Sequence, residues 1–215
     1  MIEIVSREMP SMSNNAKRLK LMEFIKTHGI VFKHVQLFSK VETDYYYDLR
    51  KISLNPYGID LIADLLLDEV RNFKANSVGG LAAGAIPLAT AVMIKDSRFG
   101  EYQNGLRQFF VRKEPKKHGL QKKIEGEVVA PVAIVDDVLT SGRSVMEAIE
   151  AVRDQGNTVT GVVCIIDREE KGTPNVLKEN NIKYSSLFKH SDFKSFIDNK
   201  LKERQLTQGN TDNQF

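Results

Sequence analysis

The sequence contains one cysteine among its 215 residues, Cys164, and this scarcity excludes an internal disulfide bond. A chain without disulfides suits a reducing compartment, so we expect a cytoplasmic protein. Cys164 lies within the apolar segment GVVCIID, where the expected state is an inert thiol in a buried strand.

Long apolar runs are also absent. No window approaches the roughly 18 uninterrupted apolar residues of a membrane-spanning helix, so we expect no membrane partner. The opening segment MIEIVSREMP carries Glu3 and Glu8 and has no apolar centre, which argues against a secretory signal.

The net charge of +3 is too small to indicate nucleic-acid binding by itself. These features favour an enzyme or a binding protein.

Helical and strand patterns alternate along the chain. The segment YGIDLIADLLLDEVRNF places its apolar residues on one helix face, whereas VAIV and VVCII are continuous apolar runs typical of strands covered on both faces. Alternation at this rhythm predicts βαβ units and a parallel sheet. We expect one α/β domain over residues 15–205, after a flexible segment 1–14 and before a disordered tail 206–215.

The segment VAIVDDVLTSGRSV, residues 132–145, carries the clearest chemical signal. Its apolar strand is predicted to end at Asp136 and Asp137, and ligands of parallel sheets bind beyond such carboxyl ends. A polar loop follows and leads into a helix: Thr140, Ser141, Gly142, Arg143 and Ser144. Hydroxyl groups and the backbone N–H groups of a helix N-terminus suit a phosphate. The Gly-x-x-x-x-Gly-Lys spacing of a nucleoside-triphosphate loop is absent.

The acidic pair beside this loop restricts which ligands could bind there. Asp136 and Asp137 would repel an anion, yet carboxylates can hold Mg²⁺ or the hydroxyls of a sugar. They could also stabilise positive charge that develops on a ribose carbon as its leaving group departs. The alternative is that the two residues only cap a turn. The adjoining hydroxyl loop favours a site for a phosphorylated sugar that carries a second anionic group.

A basic segment, FVRKEPKKHGLQKK, covers residues 110–123. Between Arg112 and Lys123 it has six Lys or Arg residues, His118 and one opposing acid, Glu114. Such a run is usually a solvated face, and nucleic-acid binding is a second reading. It lacks the interleaved aromatic residues on which single-strand binders stack bases. Because it follows a predicted strand, we expect it at the same edge as the acidic pair, where a loop can close on a polyphosphate.

Together these segments resemble the orotate phosphoribosyltransferases of the type I phosphoribosyltransferase family. VAIVDDVLTSGRS is similar to the ribose-phosphate signature, and RKEPKKHG is similar to the catalytic loop. Three further segments resemble the loop near pyrophosphate, the aromatic segment under the pyrimidine and the strand end that contacts orotate: GGLAAGAIPLA, DYYYD and IDREEKG. The similarity extends from about Phe32 to Phe188, with the segments in the family's order.

The resemblance implies a fold and a reaction. The fold is a Rossmann-like parallel sheet flanked by helices, with a small N-terminal hood. The reaction transfers ribose 5-phosphate from phosphoribosyl pyrophosphate (PRPP) to orotate, with Mg²⁺, and gives orotidine 5′-monophosphate and pyrophosphate in pyrimidine biosynthesis. The resemblance also implies a homodimer in which the basic loop reaches the partner's site, with small-molecule substrates and no nucleic acid.

The site residues follow from the same resemblance. The catalytic residues would be Asp136, Asp137, Lys116 and His118. The PRPP-binding residues would be Arg112, Lys113, Lys116, His118, Asp136, Asp137, Val138, Leu139, Thr140, Ser141, Gly142, Arg143 and Ser144. The orotate-binding residues would be Thr140, Arg168, Tyr46 and Tyr47. Asp136 and Asp137 would serve Mg²⁺, directly or indirectly.

Alternatives remain open at this level. His118 either binds pyrophosphate or donates a proton to it, Arg168 suits a surface ion pair equally well, and Tyr46 and Tyr47 suit a partly buried strand. The acceptor could be another base. The chain could also be a PRPP-sensing regulator that binds nucleic acid through its basic segment.

Overall fold

The computed structural model of the protein describes residues 12–36, 42–96, 105–114, 123–170 and 177–211. The described strands are β1 (Ile30–Gln36), β2 (Glu42–Tyr47), β3 (Ser77–Gly79), β4 (Arg107–Val111), β5 (Ile124–Gly126), β6 (Val132–Leu139), β7 (Val159–Asp167) and β8 (Lys183–Lys189). The described helices are α1 (Asn14–Phe24), α2 (Arg50–Ser53), α3 (Pro56–Asn72), α4 (Ala85–Lys95), α5 (Arg143–Arg153) and α6 (Ser191–Thr211), with a π-helical turn at Ile25–Gly29.

The main sheet has six strands in the order β5-β4-β3-β6-β7-β8. Strands β3, β4, β6, β7 and β8 are parallel, and the short β5 is antiparallel at the edge. This arrangement confirms the predicted parallel α/β sheet with β6 at its centre. The carboxyl ends of β3, β4, β6, β7 and β8 therefore all lie at one edge, which we call the carboxyl edge.

Apolar side chains cover both faces of the sheet. In β6, Val132 and Ile134 pack on the face that carries α5, whereas Ala133 and Val135 pack on the face that carries α3 and α4. This alternation arises because successive strand residues point to opposite faces. Each such buried side chain contributes about 1.5–3 kcal/mol, and the sheet is thereby held between two helical layers.

Helix α3 forms as the sequence predicts. The Asn55 side chain caps it by accepting hydrogen bonds from the Tyr57 and Gly58 N–H groups, and Pro56 occupies the first turn. Its apolar face is buried against the sheet at Leu61, Ile62, Leu65, Leu66 and Val70. No described helix is long and apolar enough to cross a membrane.

A two-stranded antiparallel hairpin, β1 and β2, forms the N-terminal hood. Aromatic contacts attach it to α6. The rings of Phe32 and Phe196 lie 6.3 Å apart, and those of Tyr47 and Phe193 lie 6.0 Å apart. The hairpin thus packs near the carboxyl edge, because α6 follows directly after β8.

Four elements differ from the sequence expectations. Strand β6 does not end at the acidic pair but continues to Leu139, because β7 pairs with it as far as Leu139↔Asp167. Strand β5 and the short helix α2 were not predicted, since each has only three or four residues. Helix α6 continues to Thr211, into the tail for which the sequence predicts disorder, and the Lys200–Glu203 ion pair at 2.8 Å supports its exposed end.

Candidate active site

The loop after β6 carries several hydrogen-bond donors at the carboxyl edge. Strand β6 ends at Leu139, and α5 begins at Arg143 after Gly142, whose φ of +74° belongs to the left-handed region. Glycine adopts this conformation without steric cost, so the chain can turn sharply into the helix. The first N–H groups of α5 have no partner within the helix and, with the hydroxyls of Thr140 and Ser141, suit an anion.

A cavity of about 550 Å³ opens over this loop, and we call it the phosphate cavity. Most of the predicted PRPP-binding residues line it: Lys113, Asp136, Val138, Leu139, Thr140, Ser141, Gly142, Arg143 and Ser144. The fold therefore brings the end of β4, the acidic pair and the hydroxyl loop to one place. The sequence expected this placement if the strands were parallel, and they are.

The acidic pair is accessible because β6 projects beyond β3. The last β3–β6 pair is Gly79↔Ile134, so the two aspartates have no strand beside them on that side. Asp136 lines the phosphate cavity, and Asp137 lies against the loop after β3, where a Cβ atom on Gly84 would be 3.2 Å from its Oδ2. Each carboxylate also accepts a hydrogen bond from the next backbone N–H, at 3.0 and 2.8 Å.

Burial raises the pKa of Asp136 to about 8, and the charge of Asp137 adds to the effect. The backbone N–H of Asp137 and the ammonium of Lys113 act in the opposite direction. Asp136 is consequently mostly protonated near neutral pH without a ligand. Such a carboxyl group can both donate a hydrogen bond to a sugar hydroxyl and accept one.

The loop after β3 is held tightly over β6. The Ala82 N–H donates to the Val111 carbonyl at 2.7 Å, and the Val111 N–H donates to the Gly80 carbonyl at 2.8 Å. A Cβ atom on Gly80 would lie 2.3 Å from the Val135 carbonyl oxygen, so only glycine permits this approach. The predicted pyrophosphate loop therefore lies between the end of β4 and the acidic pair.

The start of the basic segment is only partly described. Lys113 lines the phosphate cavity, whereas Arg112 does not and instead places Nη1 at 3.5 Å from Glu125 Oε1. Within the described residues, the Arg112 Nε is buried and has no hydrogen-bond partner. Lys116 and His118, both predicted to be catalytic, lie outside the described residues.

A second cavity of about 540 Å³ adjoins the first, and we call it the base cavity. Its lining includes all four residues predicted to bind orotate: Thr140, Arg168, Tyr46 and Tyr47. The two cavities share Val138, Thr140 and Ser141. Lys33, Gln36 and Glu170 also line the base cavity and were not assigned to it from the sequence.

Arg168 lies in the turn after β7. Its Nε is 3.2 Å from Glu170 Oε1, and its side chain is 12% exposed. Its N–H donates to the Leu139 carbonyl at 2.9 Å, which holds this turn beside the end of β6. The guanidinium of Arg168 therefore forms the ion pair that one interpretation predicted, and it also lines the base cavity.

His190, which the sequence left without a role, anchors the hood. Its Nδ1 is 2.8 Å from the Tyr47 hydroxyl, and its ring stacks on Tyr45 with an interplanar angle of 8°. Burial, followed by the charge of Arg168, lowers the pKa of His190, so the neutral ring is favoured. No local pattern reveals this contact, because Tyr47 and His190 are 143 residues apart.

The comparisons with known proteins agree with this geometry. The sequence matches no protein-family model. It is 38% identical over 187 residues to the orotate phosphoribosyltransferase of Corynebacterium glutamicum, covering 86% of this chain and 98% of that protein. The structure is similar to that of Mycobacterium tuberculosis orotate phosphoribosyltransferase in complex with Fe(III) dicitrate, with a TM-score of 0.71 at 35% identity, covering 82% of this chain and 98% of that one.

A second structure of the mycobacterial protein, in complex with PRPP, gives a TM-score of 0.67 at 32% identity and covers 82% of this chain and 98% of that one. These similarities confirm the fold that the sequence resemblance implied. Because the relatives are covered almost end to end, the similarity is not confined to a nucleotide-binding core. The chain belongs to the orotate phosphoribosyltransferase family.

Proposed function

We propose that the chain transfers the ribose 5-phosphate of PRPP to orotate, giving orotidine 5′-monophosphate and pyrophosphate for pyrimidine nucleotide synthesis. The observation that carries this proposal is the junction of two cavities at Val138, Thr140 and Ser141. One cavity suits a phosphorylated sugar, and the other has aromatic and cationic walls that suit a planar acid. The family's name supports the same pair of substrates.

The proposed positions of the substrates follow from the lining residues. The 5-phosphate lies over the loop from Thr140 to Ser144, where hydroxyl and N–H donors converge. The orotate ring lies beside Tyr46 and Tyr47, with its carboxylate toward the Arg168 guanidinium fork. The reacting carbon then lies near Thr140, at the junction of the two cavities.

The reaction is a displacement at the ribose anomeric carbon. The bond from this carbon to the pyrophosphate oxygen breaks, its electron pair leaves on pyrophosphate, and N1 of orotate forms the new bond and loses its proton. The protein contributes mainly position and charge. Asp136 and Asp137 hold the ribose hydroxyls, and the negative charge that the pair carries stabilises positive charge on the ring. Lys113, with Arg112, Lys116 and His118, neutralises the leaving group.

The acidic pair fits a magnesium ion. Carboxylate oxygens are the ligands that Mg²⁺ prefers, and it is commonly bound by one or two carboxylates together with substrate phosphates. Within the described ranges, no three His, Cys, Asp or Glu side chains form a group that could hold an ion, so the phosphates of PRPP would complete the site. When bound there, Mg²⁺ would offset the charge of the departing pyrophosphate.

We also propose that the protein is a cytoplasmic homodimer whose basic loop completes the partner's site. The loop follows Lys113 at the mouth of the phosphate cavity, which supports a role beside pyrophosphate. The buried thiol of Cys164, whose pKa burial raises to about 12, suits a reducing compartment.

Ultraviolet absorbance of orotate provides the direct test. Purified protein with Mg²⁺, PRPP and orotate is expected to consume orotate, and a mixture lacking PRPP is the control. Asp137→Asn should reduce the rate by at least about 100-fold, since it removes a charge that acts in the transition state. Asp154→Asn, at an exposed position after α5, is the matched control and should retain the wild-type rate. Equal rates for the two variants, or no consumption by the wild type, would refute the proposal.

Arg168→Ala tests the choice of acceptor. The variant should lose activity with orotate but not with a base that lacks a carboxylate, because the guanidinium pairs with that group. If the loss is the same for orotate and for uracil, Arg168 does not recognise the carboxylate. Purine bases in competition with orotate test the alternative that the acceptor is another base.

A further inference from the structure

Lys33 lies in the base cavity, although no sequence pattern assigns it a role. It belongs to β1 and lines the cavity together with Tyr46, Thr140 and Arg168. The hood thus contributes one cation to the wall of the site, and the turn after β7 contributes another.

The strand register of the hairpin shifts at Lys33. The hairpin register pairs Phe32 with Tyr45 and Val35 with Thr43, so Lys33 and His34 together lie opposite the single residue Asp44. In a β-bulge the extra residue changes the direction of the side chains around it, and bulges recur next to active sites. A regular register would place Lys33 directly opposite Asp44, where its ammonium would form an ion pair with the Asp44 carboxylate.

His34 interacts with the acidic side chains of the hairpin instead. Its Nδ1 is 2.8 Å from Asp44 Oδ1, and its Nε2 is 3.9 Å from Glu42 Oε2. The hydrogen bond to Asp44 is the main cause that raises the pKa of His34, so the ring gains positive charge beside these carboxylates. The carboxylates of Asp44 and Glu42 therefore have His34 as a partner and do not require Lys33.

The charges of the base cavity leave Lys33 available for a ligand. Arg168 already forms an ion pair with Glu170 at 3.2 Å. Across the part of the chain that the structure describes, no carboxylate oxygen forms a salt bridge with the Lys33 ammonium. An anionic ligand can bind Lys33 without breaking an existing pair, whereas at Arg168 it must compete with Glu170.

We propose that Lys33 is a specificity-determining residue that binds the anionic acceptor in the base cavity and, with Arg168, selects for an acceptor that carries a carboxylate. This inference rests on the proposed function and extends it. Lys33 supplies three N–H donors on a flexible stem, and orotate offers carboxylate and ring carbonyl oxygens as acceptors. An uncharged base such as uracil gains less from this cation.

Equilibrium titration with orotate and with uracil tests this role. Lys33→Met keeps the length and apolar stem of the side chain but removes the charge, and it should weaken orotate binding by about tenfold, the usual effect of losing a charge-assisted hydrogen bond. Uracil binding should be unchanged. Lys33→Arg should restore most of the affinity, and Lys20→Met, at an exposed position on α1 that does not line the base cavity, should leave it at the wild-type value.

Steady-state rates provide the second measurement. In Lys33→Met the KM for orotate should rise about tenfold while the KM for PRPP stays the same, because the substitution is confined to the base cavity. The inference is wrong if Lys33→Met binds orotate within twofold of the wild type, or if uracil binding falls equally. A wild-type protein that binds orotate through Lys33 but does not consume it with PRPP would contradict the proposed function alone.

Discussion

At the scale of one residue, Asp136 occupies a position that lowers the stability of the folded protein. Its carboxyl group is partly enclosed at the carboxyl edge, beside a second carboxylate, and both conditions disfavour its charged form. The group has no protein cation as an ion-pair partner among the described residues. We therefore expect Asp136 to serve a ligand, because a ligand would provide the partners that the folded chain does not.

The raised pKa of Asp136 predicts a particular dependence of stability on pH. Between the ordinary value of 3.8 and about 8 the folded state holds a proton that the unfolded state releases, so stability is lost as pH rises through this range. The substitution Asp136→Asn removes the titrating group and therefore this loss of stability. We expect the variant to be more stable than the wild type by several kcal/mol at pH 9, since a difference of one pKa unit corresponds to about 1.4 kcal/mol, and to match it near pH 4.

Thermal unfolding of both proteins at pH 4, 7 and 9, without ligands, checks this expectation. The exposed Asp154→Asn variant should follow the wild type at every pH. A constant difference between Asp136→Asn and the wild type would show that the carboxyl group does not titrate in this range. The same variant should lose activity, since Asp136 lines the phosphate cavity.

At the scale of elements, the site depends on strands of unequal length. Strand β3 stops at Gly79, while β6 continues to Leu139, and the loop after β3 fills the space that results. That loop touches the end of β4 on one side and Asp137 on the other. The acidic pair can therefore remain in a regular strand and still face ligands.

Gly80→Ala should disturb this loop. The new Cβ atom would meet the Val135 carbonyl oxygen at 2.3 Å and Ala85 Cβ at 2.7 Å, and neither can move without shifting backbone. We expect a loss of about 1–3 kcal/mol in the free energy of unfolding, measured with urea, and a large loss of activity. Gly156→Ala is the control, because its φ of +76° carries a conformational cost of about 1 kcal/mol but no atom lies within 4 Å.

The two glycine variants separate steric from conformational effects. Gly156 lies after α5, remote from either cavity's lining, so its variant should lose stability and retain activity. If Gly80→Ala also retains full activity, the position of the loop after β3 is not important for the reaction.

Tyr47→Phe tests how the hood is attached to the sheet. The substitution removes the hydroxyl that lies 2.8 Å from His190 Nδ1, and we expect a loss of about 1 kcal/mol in stability together with a higher KM for orotate. The comparison is Tyr57→Phe, whose ring is 48% exposed and lies outside the base cavity. Calorimetric unfolding and steady-state rates give the two readouts. An unchanged KM would show that this bond does not position the base cavity.

At the scale of the whole molecule, the parallel sheet explains why distant segments form one site. Five strands end at the carboxyl edge, and residues that follow β3, β4, β6 and β7 line the two cavities. The relatives that the chain resembles over almost their full length share this architecture. The placement of the described residues that line the two cavities thus follows from topology more than from any single contact.

The proposed exchange of basic loops predicts complementation between two inactive variants. Lys116→Ala removes a loop cation, and Asp137→Asn removes an acid of the pair. If these groups serve one site from different subunits, mixed dimers contain one intact site, and co-expression should restore about a quarter of the wild-type activity. Light scattering establishes the dimer. Dimers that exchange subunits and stay inactive would place the loop and the acids in the same chain.

Much of the fold could be read from local patterns. Helix α3 and strands β6 and β7 were predicted correctly because their apolar spacing repeats with the period of the element, independent of distant contacts. The position of the loop after β6 beside the acidic pair was predicted for a similar reason. Asp136 and Ser144 belong to one continuous segment, so the chain itself places the acids beside the hydroxyls.

Other features depend on contacts that no local pattern contains. Strand β5 exists only because β4 is beside it, and β6 extends past the aspartates only because β7 pairs with it. The pairing of His190 with Tyr47 joins segments more than a hundred residues apart. The position of Lys33 and His34 opposite the single residue Asp44 depends on a shift in the strand register, which arises only when the two strands pair. Periodicity specifies the elements, whereas packing and strand register determine which of their side chains meet.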